Sequence, residues 1–418
     1  MGHLNAADTT FVLMSAALVM LMTPGLAFFY GGLVRHKHVL TIMMQSFISM
    51  GVVTILWVLV GFSLAYGHDT LGLIGDLRYI GLQGVGMAPN ALAPTIPFLA
   101  FFLFQLMFAI ITPALISGAF ADRVSFKAYL LFLVLWSLLV YIPFVHWVWG
   151  GGFLHQMGVV DFAGGIVVHL SAGMAALASV FVVGKRSLAR GEKVIPHNLP
   201  FMALGAGLLW FGWFGFNGGS ELAANGVAAV AFVNTNTAAA VGMVTWMALA
   251  WWREQKPSMS GALTGAVAGL ATITPAAGYV PPWAAVVIGF LAGVACYAAV
   301  QFRTRQGWDD ALDVWGVHGI GGGLGTILTG VFAVAAINGV SGLLAGDARQ
   351  FGVQVLGVAI AAVYAFVVTF GLLKLVNLFT PVRVSKEVEA QGLDELLHGE
   401  VAYDTPSVAT ASTPPARR

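Results

Sequence analysis

Residues 98–120 read FLAFFLFQLMFAIITPALISGAF, 23 residues without one Asp, Glu, Lys or Arg. Wound as helix at about 1.5 Å per residue, the run is roughly 34 Å long, enough for a hydrocarbon core about 30 Å thick. It lacks the two-residue alternation of a barrel strand, so it predicts a membrane-crossing helix. Reading outward, ten more such runs lie at about 9–33, 39–66, 128–147, 160–183, 199–219, 226–252, 258–277, 282–302, 314–337 and 351–378. The composition agrees: 59% of the 418 residues are hydrophobic, 9% are charged and the mean hydropathy is +0.87. A soluble domain of this size could not hide so much apolar surface. The low charge together with 12% aromatic residues excludes disorder over most of the length. A single cysteine, Cys296, excludes a disulfide framework or thiolate metal cluster. The net charge of +1 gives no reason to expect a nucleic-acid partner. The chain reads as an all-α polytopic protein of the lipid bilayer with eleven transmembrane helices.

Loop charges give a direction. With the N-terminus outside, seventeen Lys and Arg fall on the inner side, including Lys185, Arg186, Arg190 and Lys193, against Arg78 and Arg349 outside. That positive-inside excess predicts an N-out, C-in chain. The start, MGHLNAADTT, has no basic segment of a signal peptide, so either none is used or one has been removed. The basic loop Gly184–Asn198 divides a membrane domain, residues 1–380, into five spans (about 9–183), five more (about 199–337) and an extra helix (351–378). Two homologous units of five spans must point in opposite directions, the inverted repeat of many transport proteins. The fifth span of each unit carries an Asp, glycines and a histidine: DFAGGIVVH (161–169) and DVWGVHG (313–319). Residues 381–418 form a tail with a short amphipathic stretch, and Thr405–Arg418 reads as disordered. Most of the 52 glycines read as packing residues, since no G-x-x-x-x-G-K-[ST] cradle is present.

Ionisable residues inside spans are costly and mark pathways. His169 lies about 12 Å below Asp161, and His318 about 7–8 Å from Asp313, so both imidazoles sit at hydrocarbon depth from opposite sides. Two imidazoles at matched positions suggest hydrogen bonding in a narrow conduit; either alone also reads as a core histidine bonded to a carbonyl. A zinc site lacks a third ligand at helical spacing, so no metal is expected. His146 and His155 read as residues of the outer rim. Asp161 and Asp313 each precede a helix and fit its N-terminus, and Asp161 would also favour a cation nearby. At the outer ends of spans four and six stand Trp147-Val-Trp149-Gly-Gly-Gly and Trp213-Phe-Gly-Phe216-Asn-Gly-Gly-Ser220. Rings beside a hydroxyl suit a small monovalent cation, although an interfacial aromatic belt explains them equally well.

DFAGGIVVH (161–169), WFGFNGGS (213–220), DVWGVHG (313–319), FQLMFA (104–109) and GLDELLHGEVAY (392–403) closely resemble the ammonium transporter (Amt/Mep/Rh) family, in particular its bacterial and archaeal Amt branch. The likeness runs from about residue 8 to 403. It implies a homotrimer in the cell membrane with a separate pore in each subunit. Trp149 and Ser220 would form the outer ammonium recruitment site with Phe108, and Phe108 and Phe216 the gate below it. His169 and His318 would be the paired pore histidines, with Phe104 and Trp213 lining or flanking the path. Asp161 would be the acidic residue near the mouth. The tail would couple subunits and lie where a PII-type signalling protein docks from the cytoplasmic side. No cofactor is implied.

The expected cargo is ammonium, deprotonated and conducted as ammonia past the histidines, with net charge transfer favoured and methylammonium a possible second cargo. The rival readings are a neutral ammonia or carbon dioxide channel of Rhesus type, an ammonium sensor and, least supported, a membrane enzyme. Trp149 with Ser220 argues against the first, the short tail against the second, and the want of a nucleophile or cofactor motif against the third.

Overall fold

The computed structural model describes residues 2–188 and 194–403; Arg190, Lys193 and the stretch Thr405–Arg418 lie outside them. In chain order the helical stretches are α1 (Ala6–Leu33), α2 (His36–Tyr66), α3 (Phe98–Phe120), α4 (Phe126–Met157), α5 (Gly165–Val183), α6 (Leu199–Glu221), α7 (Gly226–Glu254), α8 (Met259–Ile273), α9 (Pro282–Gln306), α10 (315–332) and α11 (Ala348–Phe379). Among the described residues nine are long and apolar enough to cross a membrane, all but α8 and α10. Those two fall on the eighth and tenth predicted runs but are shorter. Pro275, which has no N–H for the ladder, follows the end of α8, and at Ala333 the chain turns extended after α10. The chain is thus a mostly helical, multi-pass membrane protein.

The predicted helices start where capping chemistry places them. Asn5, Ser125, Asn198, Asn225, Ser258 and Asp347 each accept a backbone N–H at the start of a helix. Between α2 and α3 the chain makes a small hairpin, β1 (Asp69–Thr70) with β2 (Ile74–Gly75).

Glycines set how closely the helices meet. In the α1–α6 pair a Cβ on Gly205 would stand 2.2 Å from the backbone nitrogen of Phe29. Where α5 crosses α10, a Cβ on Gly173 would stand 2.1 Å from the nitrogen of Gly319. Such backbone approach is the usual substitute for hydrophobic driving force between membrane helices. Large apolar side chains such as Val244, Phe290, Val363 and Val367 remain exposed on the perimeter, as a lipid solvent allows.

At the end opposite Trp149, Arg35 pairs with Asp122 at 3.1 Å, and Asp309 receives Arg123 at 3.2 Å and Arg186 at 2.7 Å. The tail closes over the same face. Asp394 accepts from the backbone N–H groups of Leu40 and Thr41 and from the Thr41 hydroxyl, capping from a distance of more than 350 residues in sequence the helix that starts at Val39. Glu389 is fully buried and binds Arg383 at 2.8 Å, while Tyr403 and His197 share a 2.9 Å hydrogen bond.

Candidate functional site

Two cavities enter the bundle from opposite ends. The first, about 400 Å³, is lined by Phe108, Trp149, Asp161, Ser220, Glu221 and Tyr279 among others. The second, about 360 Å³, reaches from Arg186 and Asp313 up to His318. Between them lies a slot of only about 20 Å³ bordered by Leu26, Ile111, His169, Trp213, Phe216 and His318. A void of that size holds roughly one water-sized molecule. No Asp, Glu, Lys or Arg is among the described residues that border it.

At the floor of the first cavity Phe108 meets Trp149 edge-on at 5.9 Å and Phe216 at 4.3 Å, closing the way to the slot. The Trp149 indole donates to the Asp161 carbonyl at 2.8 Å, which fixes the ring at the cavity wall. Ser220 gives its hydroxyl proton to the Phe216 carbonyl at 2.8 Å, leaving its oxygen lone pairs as acceptors beside the ring. Phe104 lies outside both cavities and the slot, packed behind Phe108 at 5.0 Å. Trp213 borders the slot.

Asp161 holds the start of α5 from within. One carboxylate oxygen accepts from Gly164 and Gly165 at 2.8 and 2.6 Å, the other from Ile166 and Val167 at 2.7 and 3.2 Å. The loop needs glycine at 164, where φ is +119° and a Cβ would strike Val168. All of the usual acceptor directions of the carboxylate are used, so Asp161 supplies a fixed negative charge and a shaped backbone.

The two histidines meet across the α5–α10 crossing. Each sits in a π-helical turn, Gly165–Leu170 and Trp315–Gly319, and each turn runs on into a 13-residue α-helix. Their Nδ1 atoms are 3.2 Å apart, and His169 Nε2 is 3.3 Å from the Thr274 hydroxyl oxygen. Thr274 gives its one proton to the Leu270 carbonyl at 2.7 Å and accepts from the Trp213 indole at 2.9 Å. It can therefore only accept from His169, whose Nε2 carries a proton. Neutral His169 then accepts at Nδ1 from His318, and His318 Nε2 keeps a free lone pair. Thr274, absent from the sequence reading, fixes the polarity of the pair.

Two sequence readings need correction. Asp313 does not cap α10: its φ is +62° and it pairs with Arg303. Asp310 takes that place, accepting from Trp315 N at 2.8 Å. Asp310 stands eight residues before His318, as Asp161 stands eight before His169, so it is the matching aspartate of the two histidine segments. His146 is not a rim residue: it is fully buried, 2.9 Å from both the Ala65 carbonyl and Asp69, and ties the hairpin to the end of α4. His155, by contrast, is exposed and lines the first cavity.

A profile of the Ammonium Transporter Family matches residues 10–403. The ammonium transporter of Bacillus subtilis (strain 168) is 50% identical over 403 residues, covering 96% of this chain and 99% of that protein. Among solved structures, Candida albicans Mep2 superposes with a TM-score of 0.87 at 37% identity, covering 92% of this chain and 88% of that one. A protein described as a sensor Amt protein superposes at 0.86 with 30% identity, covering 93% and 97%.

Proposed function

Since the chain belongs to the ammonium transporter family, we propose that it recruits ammonium in the first cavity and passes ammonia through the slot. The first cavity is the outer one in the N-out, C-in orientation, with eleven crossings arranged as an inverted 5+5 repeat plus α11. The observation that carries this reading is the uncharged slot of about 20 Å³ between two roomy cavities, crossed by paired imidazoles.

Ammonium enters the outer cavity and donates an N–H to the Ser220 oxygen while the Trp149 face stabilises its charge. Taking the intact cation further costs several kcal/mol or more, because the slot offers neither a counter-charge nor a ring of carbonyls. Potassium is similar in size and meets the same barrier, but it has no proton to shed. Ammonium surrenders one at the Phe108–Phe216 gate, near the fixed charge of Asp161, and neutral ammonia enters the slot. The proton left behind passes through the slot to the free lone pair on His318 Nε2, the Nδ1···Nδ1 contact lets the two imidazoles share it, and it returns to ammonia in the second cavity, so each crossing moves one ammonia and one proton. Net transfer is then electrogenic. Methylammonium, which also sheds a proton, is carried by the same route. The protein works as a homotrimer in the cell membrane, and its inner face, where the tail lies, receives a PII-type protein.

Proteoliposomes holding the protein are expected to give a saturable current with ammonium and none of comparable size with potassium, and His169→Ala to abolish or alter the ammonium current. An equal potassium current under the same gradient overturns the deprotonation filter. The sensor protein shares this fold, so the current also separates transport from sensing: ammonium binding without any flux favours the sensor. Flux without current favours the neutral-gas reading.

A further inference from the structure

Asp161 supplies a charge to the outer cavity but has no acceptor direction left, its two oxygens being held by four backbone N–H groups. A second carboxylate lines the same cavity. Glu221 follows Ser220 directly, at the end of α6, where Leu222 turns the chain with a φ of +59°. It is half-buried at the cavity wall. Its one hydrogen bond places Oε1 2.8 Å from the Asn225 amide, which caps α7. The other side chains that line this cavity are neutral apart from Asp161 and His155, and none of the described ones is Lys or Arg. Neither of the two outer arginines, Arg78 and Arg349, is among those lining residues, and Arg78 is engaged by Asp76 at 3.0 Å. The negative charge of Glu221 therefore faces no lysine or arginine of the described cavity lining where a cation would arrive.

We infer that Glu221 is a recruiting residue of the outer cavity, raising the local concentration of ammonium and other small monovalent cations beside Ser220 through its field, without binding the cargo through the slot. The inference rests on the transport reading above. A charge on low-dielectric walls concentrates counter-ions at a mouth and does so strongly only where salt is dilute. Glu221 would thus lower the half-saturating concentration and leave selectivity to the slot, which a cation cannot enter.

The test uses the full chain in proteoliposomes, with ammonium chloride as the probe and sodium chloride setting ionic strength. Glu221→Gln keeps the acceptor for Asn225 and removes only the charge, and Glu221→Asp keeps the charge. At about 10 mM ionic strength, where the screening length is roughly 30 Å, the Gln variant is expected to raise half-saturation on the order of three- to tenfold. The saturating current should change far less, the difference should shrink toward unity in about 0.5 M salt, and the Asp variant should stay near the wild type. Half-saturation equal in wild type and Gln variant at low salt overturns the inference alone. So does a shift that salt does not alter, which would assign Glu221 to holding Asn225. A wild type that carries no ammonium current removes the transport reading first and this inference with it.

Discussion

Thr274 shows what one hydroxyl can decide. It is fully buried, and it accepts from the Trp213 indole and His169 Nε2 while donating to Leu270. Thr274→Val keeps the shape and orphans two buried donors, each costing about 1–3 kcal/mol. The melting midpoint in detergent should fall, and the ammonium current should fall with it, because nothing then holds the proton on His169 Nε2. Thr274→Ser should keep both. A Val variant with the wild-type current would show that the polarity of the histidine pair is set elsewhere. The histidines were legible in the sequence because an ionisable side chain in an apolar run is conspicuous. Thr274 was not. A hydroxyl in a membrane helix ordinarily bonds the carbonyl four residues back, as this one does, and its other partners lie 61 and 105 residues away.

At the scale of helices, the histidine contact depends on how closely α5 and α10 cross. The atoms that a Cβ on Gly173 would meet, at 2.1 and 2.2 Å, are backbone nitrogen and Cα of Gly319, which cannot rotate aside. Gly173→Ala must therefore part the helices, at a cost of about 1–3 kcal/mol for overpacking, and it widens the 3.2 Å contact one residue from Gly319. The expected result is a lower melting midpoint with a disproportionate loss of current. Gly207→Ala is the control: the space around it is open, so this helix-interior glycine should tolerate Ala with stability unchanged or raised by up to about 1 kcal/mol. Equal behaviour of the two variants would refute close approach as the determinant. Hydropathy alone located the eleven long apolar stretches, since apolar length is a property of each segment, but not the short helices of loops and tail such as Lys386–Gln391. It could not say which aspartate caps α10. Asp310 and Asp313 both precede the helix, and the choice is made by the Arg303 pair and the left-handed backbone at Asp313, features of the folded chain. The burial of His146 is hidden from hydropathy for a like reason, since the hairpin that covers it comes from 77 residues earlier.

For the whole molecule, loop charges predict an orientation but not the use to which the charges are put. Arg123 from the α3–α4 loop and Arg186 from the loop after α5 converge on Asp309, which lies in the loop before α10. The three loops are thereby clamped beneath the second cavity. Burial by itself would raise the Asp309 carboxyl, but the hydrogen bond from Arg186 and the charges of Arg123 and Arg186 outweigh it and hold the group at about 2. Its folded value is thus depressed below the roughly 3.9 of an unfolded aspartate. The stabilisation it confers is complete above about pH 4 and is lost as the pH falls from there through about 2. The neighbouring Asp310, pushed up to about 6 by burial against the pull of Arg303, acts with the opposite sign and favours the fold as it gains its proton between about 6 and 4. Asp309→Asn leaves Arg123, fully buried, without its carboxylate, and at neutral pH should cost on the order of 3 kcal/mol. Melting curves of wild type and variant in detergent across pH 7 to 2 separate the two aspartates, because Asp310 is present in both and cancels in the difference. The gap between the curves should be constant down to about pH 4 and close between there and about pH 2. A gap that persists unchanged at the acid end would mean that the Asp309 carboxylate contributes to the clamp by its shape and hydrogen bonds, with its charge of no consequence.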